Sequence, residues 1–232
     1  MKLEERTVDV PGSAQLLTAR WAGSLTDELR RRVAAETTIR QVRAGSYVCR
    51  KGDRVEHWIG VLGGLVMIAS VSPEGKAVSF IGVPSGGWFG EGSLLKDEPR
   101  RYDGIALRDS TVAYMPRSTF MLLLDSSVAF NRFLLIQLNE RLGQFVAMVE
   151  HDRLLGPDAR LAQELAGLFN PLLYPGSGHT FPVSQEELAH LVGLSRQRVN
   201  QALRRLEAAG LVRVGYRGVT LLDLDGLRQF EA

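Results

Sequence analysis

The chain has 232 residues, 45% of them hydrophobic and 23% charged, with 28 basic against 26 acidic side chains and a formal net charge of +2. That length accommodates two domains with separate cores. The single cysteine, Cys49, excludes an intramolecular disulfide and a cysteine-held iron–sulfur cluster, which needs about four thiolates, and it suits a reducing cytoplasm.

No basic segment followed by an apolar run opens the sequence, so no signal peptide is expected and the protein is placed in the cytoplasm. The first predicted element is a capped helix from Ser24 to Thr37, with Leu25, Leu29 and Val33 on one side. Residues 40–120 then carry short β signals separated by glycine-bearing turns at Gly45, Lys51-Gly52-Asp53, Gly63-Gly64, Ser72-Pro73-Glu74-Gly75-Lys76 and Pro84-Ser85-Gly86-Gly87. Short strands at this regular spacing predict a closed or rolled antiparallel barrel. The longest uncharged stretch, His57 to Pro73, contains Gly60, Gly63 and Gly64 and is short for a bilayer span of roughly 18 to 20 apolar residues. It predicts two strands around a turn, and no membrane partner is expected. Cys49 falls on a predicted strand, where burial is expected rather than redox sensing.

From about Ser126 to Leu155 the pattern becomes that of a long helix. Leu135, Leu138, Leu142, Phe145 and Val149 follow the 3-4-3-4 spacing of a two-stranded coiled-coil seam. This seam either packs on the chain's own barrel or meets its twin in a homodimer; a second stripe, Phe130, Leu134 and Met148, is expected to serve the barrel, leaving the first for dimerisation. A dimer would set two copies of the C-terminal segment symmetrically about one axis. Gly156-Pro157 ends the helix and marks a hinge. The expected architecture is α+β: residues 1–125 as an N-terminal helix and barrel, 126–155 as the dimerisation helix, and 156–232 as a C-terminal domain.

The run Ser184-Gln185-Glu186-Glu187 reads as a capping box opening a short helix with Leu188, Leu191 and Val192 inside, ended by Gly193. Ser195 caps the next helix after a tight turn. In that second helix Val199, Ala202, Leu203 and Leu206 form one apolar stripe, whereas Arg196, Gln197, Asn200, Gln201 and Arg204 lie opposite with no carboxylate among them. Guanidiniums and side-chain amides contact phosphates and pair in bidentate fashion with guanine and adenine edges, so double-stranded DNA is the expected partner. Gly210 closes the helix, and two apolar runs around Gly215-Tyr216-Arg217-Gly218 predict a hairpin wing. From Ser195 to Arg217 six arginines face Glu207 alone, a local net charge of +5 in a chain whose total is +2. Basic character is therefore a patch, the electrostatic footprint of phosphate contact. Ser184, Gln185, Ser195, Arg196, Gln197, Arg198, Asn200, Gln201, Arg204 and Arg217 are the candidate DNA-binding residues.

In this order of barrel, long helix and winged helix-turn-helix, the chain resembles the catabolite-activator/fumarate-nitrate-regulator (CRP/FNR) family of bacterial transcription factors over nearly its full length. Gly87-Trp88-Phe89-Gly90-Glu91 is similar to the opening of that family's phosphate-binding cassette, and Gly193-Leu194-Ser195-Arg196-Gln197-Arg198-Val199 to the start of its recognition helix. The resemblance implies a cyclic-nucleotide-binding-like barrel (a double-stranded β-helix) with Gly90, Glu91 and Arg101 facing the ribose and cyclic phosphate and Arg141 lining the same pocket. Tyr102 stands where the family has serine. Phe145 and Val146 replace the two hydroxyl residues that meet adenine, which makes cyclic AMP an unsuitable effector. Arg100 beside Arg101 leaves room for a more anionic ligand such as a cyclic dinucleotide. Alternatively, Glu91 and Arg101 form an internal ion pair in a pocket without a ligand, and the regulator is effector-independent, set by abundance or a protein partner. RNA polymerase is a further partner if the protein activates. On the DNA side Arg196 matches the family arginine that reads guanine, while Gln197 replaces a glutamate, and this changes the expected half-site. His57, His151, His179 and His190 are too scattered for a haem ligand, no metal site is expected, and no nucleophile–base pair points to an enzyme.

Overall fold

The protein is described from a computed structural model covering residues 12–72, 77–154, 156–175, 178–216 and 218–230. Helix α1 (Gly12–Leu17) and a 3-10 turn (Ala22–Ser24) lead into α2 (Asp27–Glu36). Thr26, not Ser24, caps α2: its hydroxyl accepts from the Leu29 amide, and Asp27 and Glu28 meet the positive end of the helix dipole. Ser24 instead donates to the Trp21 carbonyl and closes the preceding turn.

Among the described residues eight strands follow: β1 (Thr38–Val42), β2 (Tyr47–Cys49), β3 (His57–Gly63), β4 (Leu65–Val71), β5 (Ala77–Pro84), β6 (Trp88–Phe89), then, after α3 (Glu91–Lys96), β7 (Asp103–Ala106) and β8 (Ser110–Pro116). They form two antiparallel four-stranded sheets, β1-β8-β3-β6 and β2-β7-β4-β5. Of the closed or rolled barrel expected, the rolled form is found: a two-sheet, jelly-roll-like sandwich, whose chain passes between the sheets at corners such as Gly64. There φ is +98°, and a Cβ would collide with Ser110. His57 to Val71 supplies two strands around this turn, as its composition predicts. The sandwich interior is filled by Val48, Ile59, Val61, Val66, Ile68, Val83 and Phe89. A second cluster under the N-terminal helices is aromatic: Trp58 and Trp88 lie 4.4 Å apart by ring centroid, with Trp21 edge-on to Trp88 at 5.2 Å.

Helices α4 (Arg117–Ser126) and α5 (Val128–Leu154) meet at a 110° bend. The long helix therefore begins at Val128, because Ser127 leaves helical geometry and its hydroxyl accepts from the Phe130 amide. Phe130 and Leu134 are buried in the aromatic cluster, as their stripe predicts. Met148 departs from it and lines a crevice against the C-terminal unit. Among the described residues no single helix is long and apolar enough to cross a membrane.

Pro157 opens α6 (Pro157–Leu168) at a position whose amide needs no partner. After β9 (Thr180–Phe181) come α7 (Gln185–Val192), α8 (Arg196–Ala208), the hairpin β10 (Val212–Gly215) and β11 (Gly218–Leu221), and α9 (Leu224–Arg228). Strand β9 adds to the wing, giving the order β10-β11-β9. The core of this unit, including Leu165, Leu188, Val199, Leu203 and Leu206, is continuous with Leu65, Met67 and Ala69 of the sandwich. The C-terminal unit therefore rests on the β4–β5 face.

Candidate DNA interface and effector pocket

Local hydrogen bonds build the helix pair. Ser184 accepts from the Glu187 amide at 3.1 Å, and Glu187 accepts from the Ser184 amide at 2.7 Å, closing the capping box. Gly193 ends α7 in the left-handed region at φ +64°, and Ser195 caps α8 by accepting from the Arg198 amide at 3.2 Å. Val199, Ala202, Leu203 and Leu206 are buried, which fixes the roll of α8 and turns its opposite side outwards.

Arg196, Gln197 and Arg204 are exposed and have no side-chain hydrogen bond or ion pair among the described residues. Asn200 donates to Gln185 Oε1 at 3.1 Å, which ties the two helices together. Gln201 is exposed and accepts from Arg198. Arg198 is a correction to the DNA-binding set: its guanidinium lies 2.8 Å from the buried Asp158 carboxylate, which Arg205 also pairs. An arginine neutralising a buried carboxylate at the foot of α6 holds the unit together rather than pointing at a phosphate. Sequence spacing carries no sign of this pairing. At the wing tip Tyr216 is fully exposed, and Arg217 lies outside the described residues.

In the sandwich, Gly90 takes φ +95°, and a Cβ there would strike the Arg100 guanidinium. The glycine lets Arg100, not Arg101, turn inwards. Arg100 is buried and donates to the His57 carbonyl at 3.1 Å, whereas Arg101 is 70% exposed and pairs with Glu98 at 2.8 Å. The expected inward placement of Arg101 is thus off by one residue. Glu91 is buried, accepts from the Trp58 indole at 3.3 Å, and lies 3.9 Å from Arg141, which donates to the Trp88 carbonyl at 2.7 Å. Tyr102 packs on Phe89, and burial raises its phenol pKa well above the ordinary value. Phe145, one turn beyond Arg141, is half-buried. Arg100 Nη1 and Arg141 Nε and Nη1 are buried donors without a hydrogen-bond partner. Such orphaned cationic donors fit a phosphate. Burial also raises the Cys49 thiol pKa, which keeps the sulfur protonated and a weak nucleophile. Among the described residues no three His, Cys, Asp or Glu side chains gather around a potential metal site.

On α5 the predicted seam is open. Leu135 is 68% exposed, Leu142 and Val149 are exposed, and Leu138 and Phe145 are half-buried. Ile136 and Val146 widen the stripe.

The C-terminal unit is pinned to the sandwich at three points that sequence reasoning missed. Arg108 grips Glu187 through bonds of 2.6 and 2.7 Å. Glu164 accepts from the Gly82 amide at 3.3 Å. Tyr174 is 1% exposed among the sandwich-interior residues and donates to the Gly82 carbonyl at 3.0 Å. Each joins residues far apart in the chain, and local periodicity carries no trace of them.

Residues 39–127 match the family model of the cyclic nucleotide-binding domain, and residues 159–230 that of the Crp-like helix-turn-helix domain. The Transcriptional regulator SdrP of Thermus thermophilus is 31% identical over 171 residues, covering 73% of this chain and 81% of its own. The Cyclic AMP receptor protein of the same species is 29% identical over 171 residues, covering 74% and 77%. Among solved structures, FixK2 from Bradyrhizobium japonicum shares the fold with a TM-score of 0.66 at 20% identity, covering 84% of this chain and 98% of that one.

Proposed function

This chain belongs to the CRP/FNR family of transcriptional regulators, and from that premise we propose that it acts as a cytoplasmic homodimer on a palindromic DNA site, controlled by a phosphate-bearing effector. It is a regulator and not an enzyme. The observation that carries the reading is the outward side of α8, where Arg196, Gln197 and Arg204 stand free over a buried apolar stripe. Arg196 and Gln197 read base edges. Arg204 and the helix starts at Ser184, Gln185 and Ser195 meet phosphates, and Asn200 and Gln201 complete the face. Pairing of Leu135, Leu138, Leu142, Phe145 and Val149 with a second copy covers the open seam of α5 and sets the spacing of the two recognition helices.

Glu91, Arg100 and Arg141 are the ligand-facing groups of the pocket, bounded by Tyr102. A cyclic nucleotide or dinucleotide would supply phosphate oxygens as acceptors for the Arg100 and Arg141 donors that have none, while Phe145 and Val146 leave adenine without its hydroxyl partners. An effector works by binding one arrangement of the two halves more tightly than the other. If the protein activates, RNA polymerase is its further partner.

Selection of duplexes from a randomised pool by the purified protein tests this function. The expected product is an inverted repeat with half-sites about one turn, roughly 34 Å, apart. A monomer that retains no duplex in low salt overturns it. One observation favours a second reading, an effector-independent regulator: the Tyr174 side chain already fills sandwich space. Operator binding indifferent to every nucleotide added would select that alternative.

A further inference from the structure

The segment Asn170–Pro175, between α6 and β9, is a built turn. Asn170 Oδ1 accepts from the Leu172 and Leu173 amides at 2.9 and 3.1 Å, and its Nδ2 donates to Glu140 of α5 at 3.1 Å. The turn drives Leu173 and Tyr174 into the sandwich interior beside Val66, Val83 and Phe89. The sandwich is shaped to receive them. A Cβ on Gly87 would lie 2.9 Å from the Tyr174 ring, and one on Gly86 would lie 2.8 Å from the Pro175 carbonyl oxygen. The phenol donates to Gly82, and the Arg141 guanidinium lies next to it. Burial raises the phenol pKa against the pull of Arg141, so Tyr174 stays a neutral donor.

Arg141 is also the arginine that faces Glu91. We propose that Tyr174 is an internal ligand of the effector pocket, carried by the DNA-binding unit, and that an effector engaging Arg141 displaces it. This rests on the effector reading given above. The geometry supplies the coupling. Tyr174 is continuous with α6, and α6 packs against α8, so expelling the ring withdraws the anchor that seats the recognition helix on the sandwich. The seated arrangement also ties the start of α7 to Arg108, an end that meets phosphate in a DNA complex, so the seated form is the weaker DNA binder.

The test replaces the ring and returns it in solution. Tyr174→Ala leaves a cavity shaped for phenol, the free form of the lost ring, and Trp58 reports on it because its indole donates to Glu91, which faces Arg141. Millimolar phenol is expected to raise the melting temperature of Tyr174→Ala by a few degrees, to change its tryptophan fluorescence, and to leave the wild type unaffected. The variant is expected to bind the selected operator about fivefold or more tightly than wild type, the low end of ordinary coupling. Binding of phenol to neither protein, or equally to both, overturns the proposal, as does unchanged operator affinity. If Tyr174→Ala does not fold, Tyr174→Phe keeps the ring and loses the hydroxyl. Faster hydrogen exchange at the Gly82 and Gly87 amides is then expected, and unaltered exchange overturns the proposal. Failure of cyclic AMP, cyclic GMP and cyclic di-GMP to bind Tyr174→Ala would sink the effector reading while leaving the phenol result intact.

Discussion

Arg108, in the turn between β7 and β8, holds Glu187 of α7 in a two-pronged ion pair, and the same carboxylate closes the capping box with Ser184. One glutamate therefore both starts the first helix of the DNA-binding motif and docks that motif on the sandwich. Guanidinium and carboxylate planes matched in this way are among the stronger polar contacts.

Arg108→Ala should remove the docking contact and spare the cap. Because both side chains are partly exposed, about 1–2 kcal/mol is expected, a fall in melting temperature of about 2–8 °C for a chain of this size. Arg108→Lys should recover less than half, since an ammonium cannot bond both oxygens in the plane. Calorimetry combined with hydrogen exchange of α7 measures this; unchanged melting and unchanged protection would show that the pair contributes nothing to docking.

For the recognition helix, Arg196→Ala is expected to cost about 1–3 kcal/mol of operator binding and to relax preference at one base pair. Gln197→Glu should move preference at its position from adenine towards cytosine, because glutamine pairs with the adenine edge whereas a carboxylate accepts from the cytosine amine. Titration against duplexes substituted at each half-site position checks both. Arg198→Ala should behave differently, lowering stability through the uncovered Asp158 carboxylate and leaving base preference unaltered.

These contrasts mark what the sequence could tell. The helix pair was legible because its determinants are local: a hydroxyl three residues before a glutamate, a glycine at the stop, and an apolar stripe at helical period. The role of Arg198 was not, since its carboxylate partner sits on another helix. The identity of the inward arginine was lost by one residue, because it depends on the left-handed turn at Gly90 and not on the spacing from Glu91. The two-sheet sandwich was foreshadowed by its turns, but not how its strands divide between sheets. Tyr174 gave no signal, because an aromatic beside a proline in a loop looks alike whether it faces solvent or fills a neighbour's core.

Leu142 stands exposed in the middle of the α5 seam. Leu142→Glu should leave the monomer's stability nearly unchanged, because the site is already wet, yet place two carboxylates face to face in a dimer. Sedimentation should show the equilibrium shifted to monomer, with operator affinity reduced at least about tenfold through loss of the second half-site. A variant that sediments with the wild type would remove α5 as the dimer seam.

Glu164 is expected to make docking pH-dependent. Wedged between α6 and β5, its carboxyl is pushed up to about 7 by burial, with the Gly82 amide pulling the other way. The folded chain thus holds this proton more tightly than the unfolded chain, whose carboxyl titrates near 4.5. The stability contribution is complete below about pH 4.5 and is lost as pH rises through 7, so between pH 6 and 8 this group should lower stability by about 1 kcal/mol. Glu164→Gln keeps an oxygen to accept from Gly82 and carries no charge at any pH. Its denaturation free energy should vary less between pH 5 and 8 than that of the wild type, and exceed the wild-type value above pH 7. Equal slopes for the two proteins would mean that Glu164 titrates as an ordinary surface carboxylate and that the contact with Gly82 opens to water.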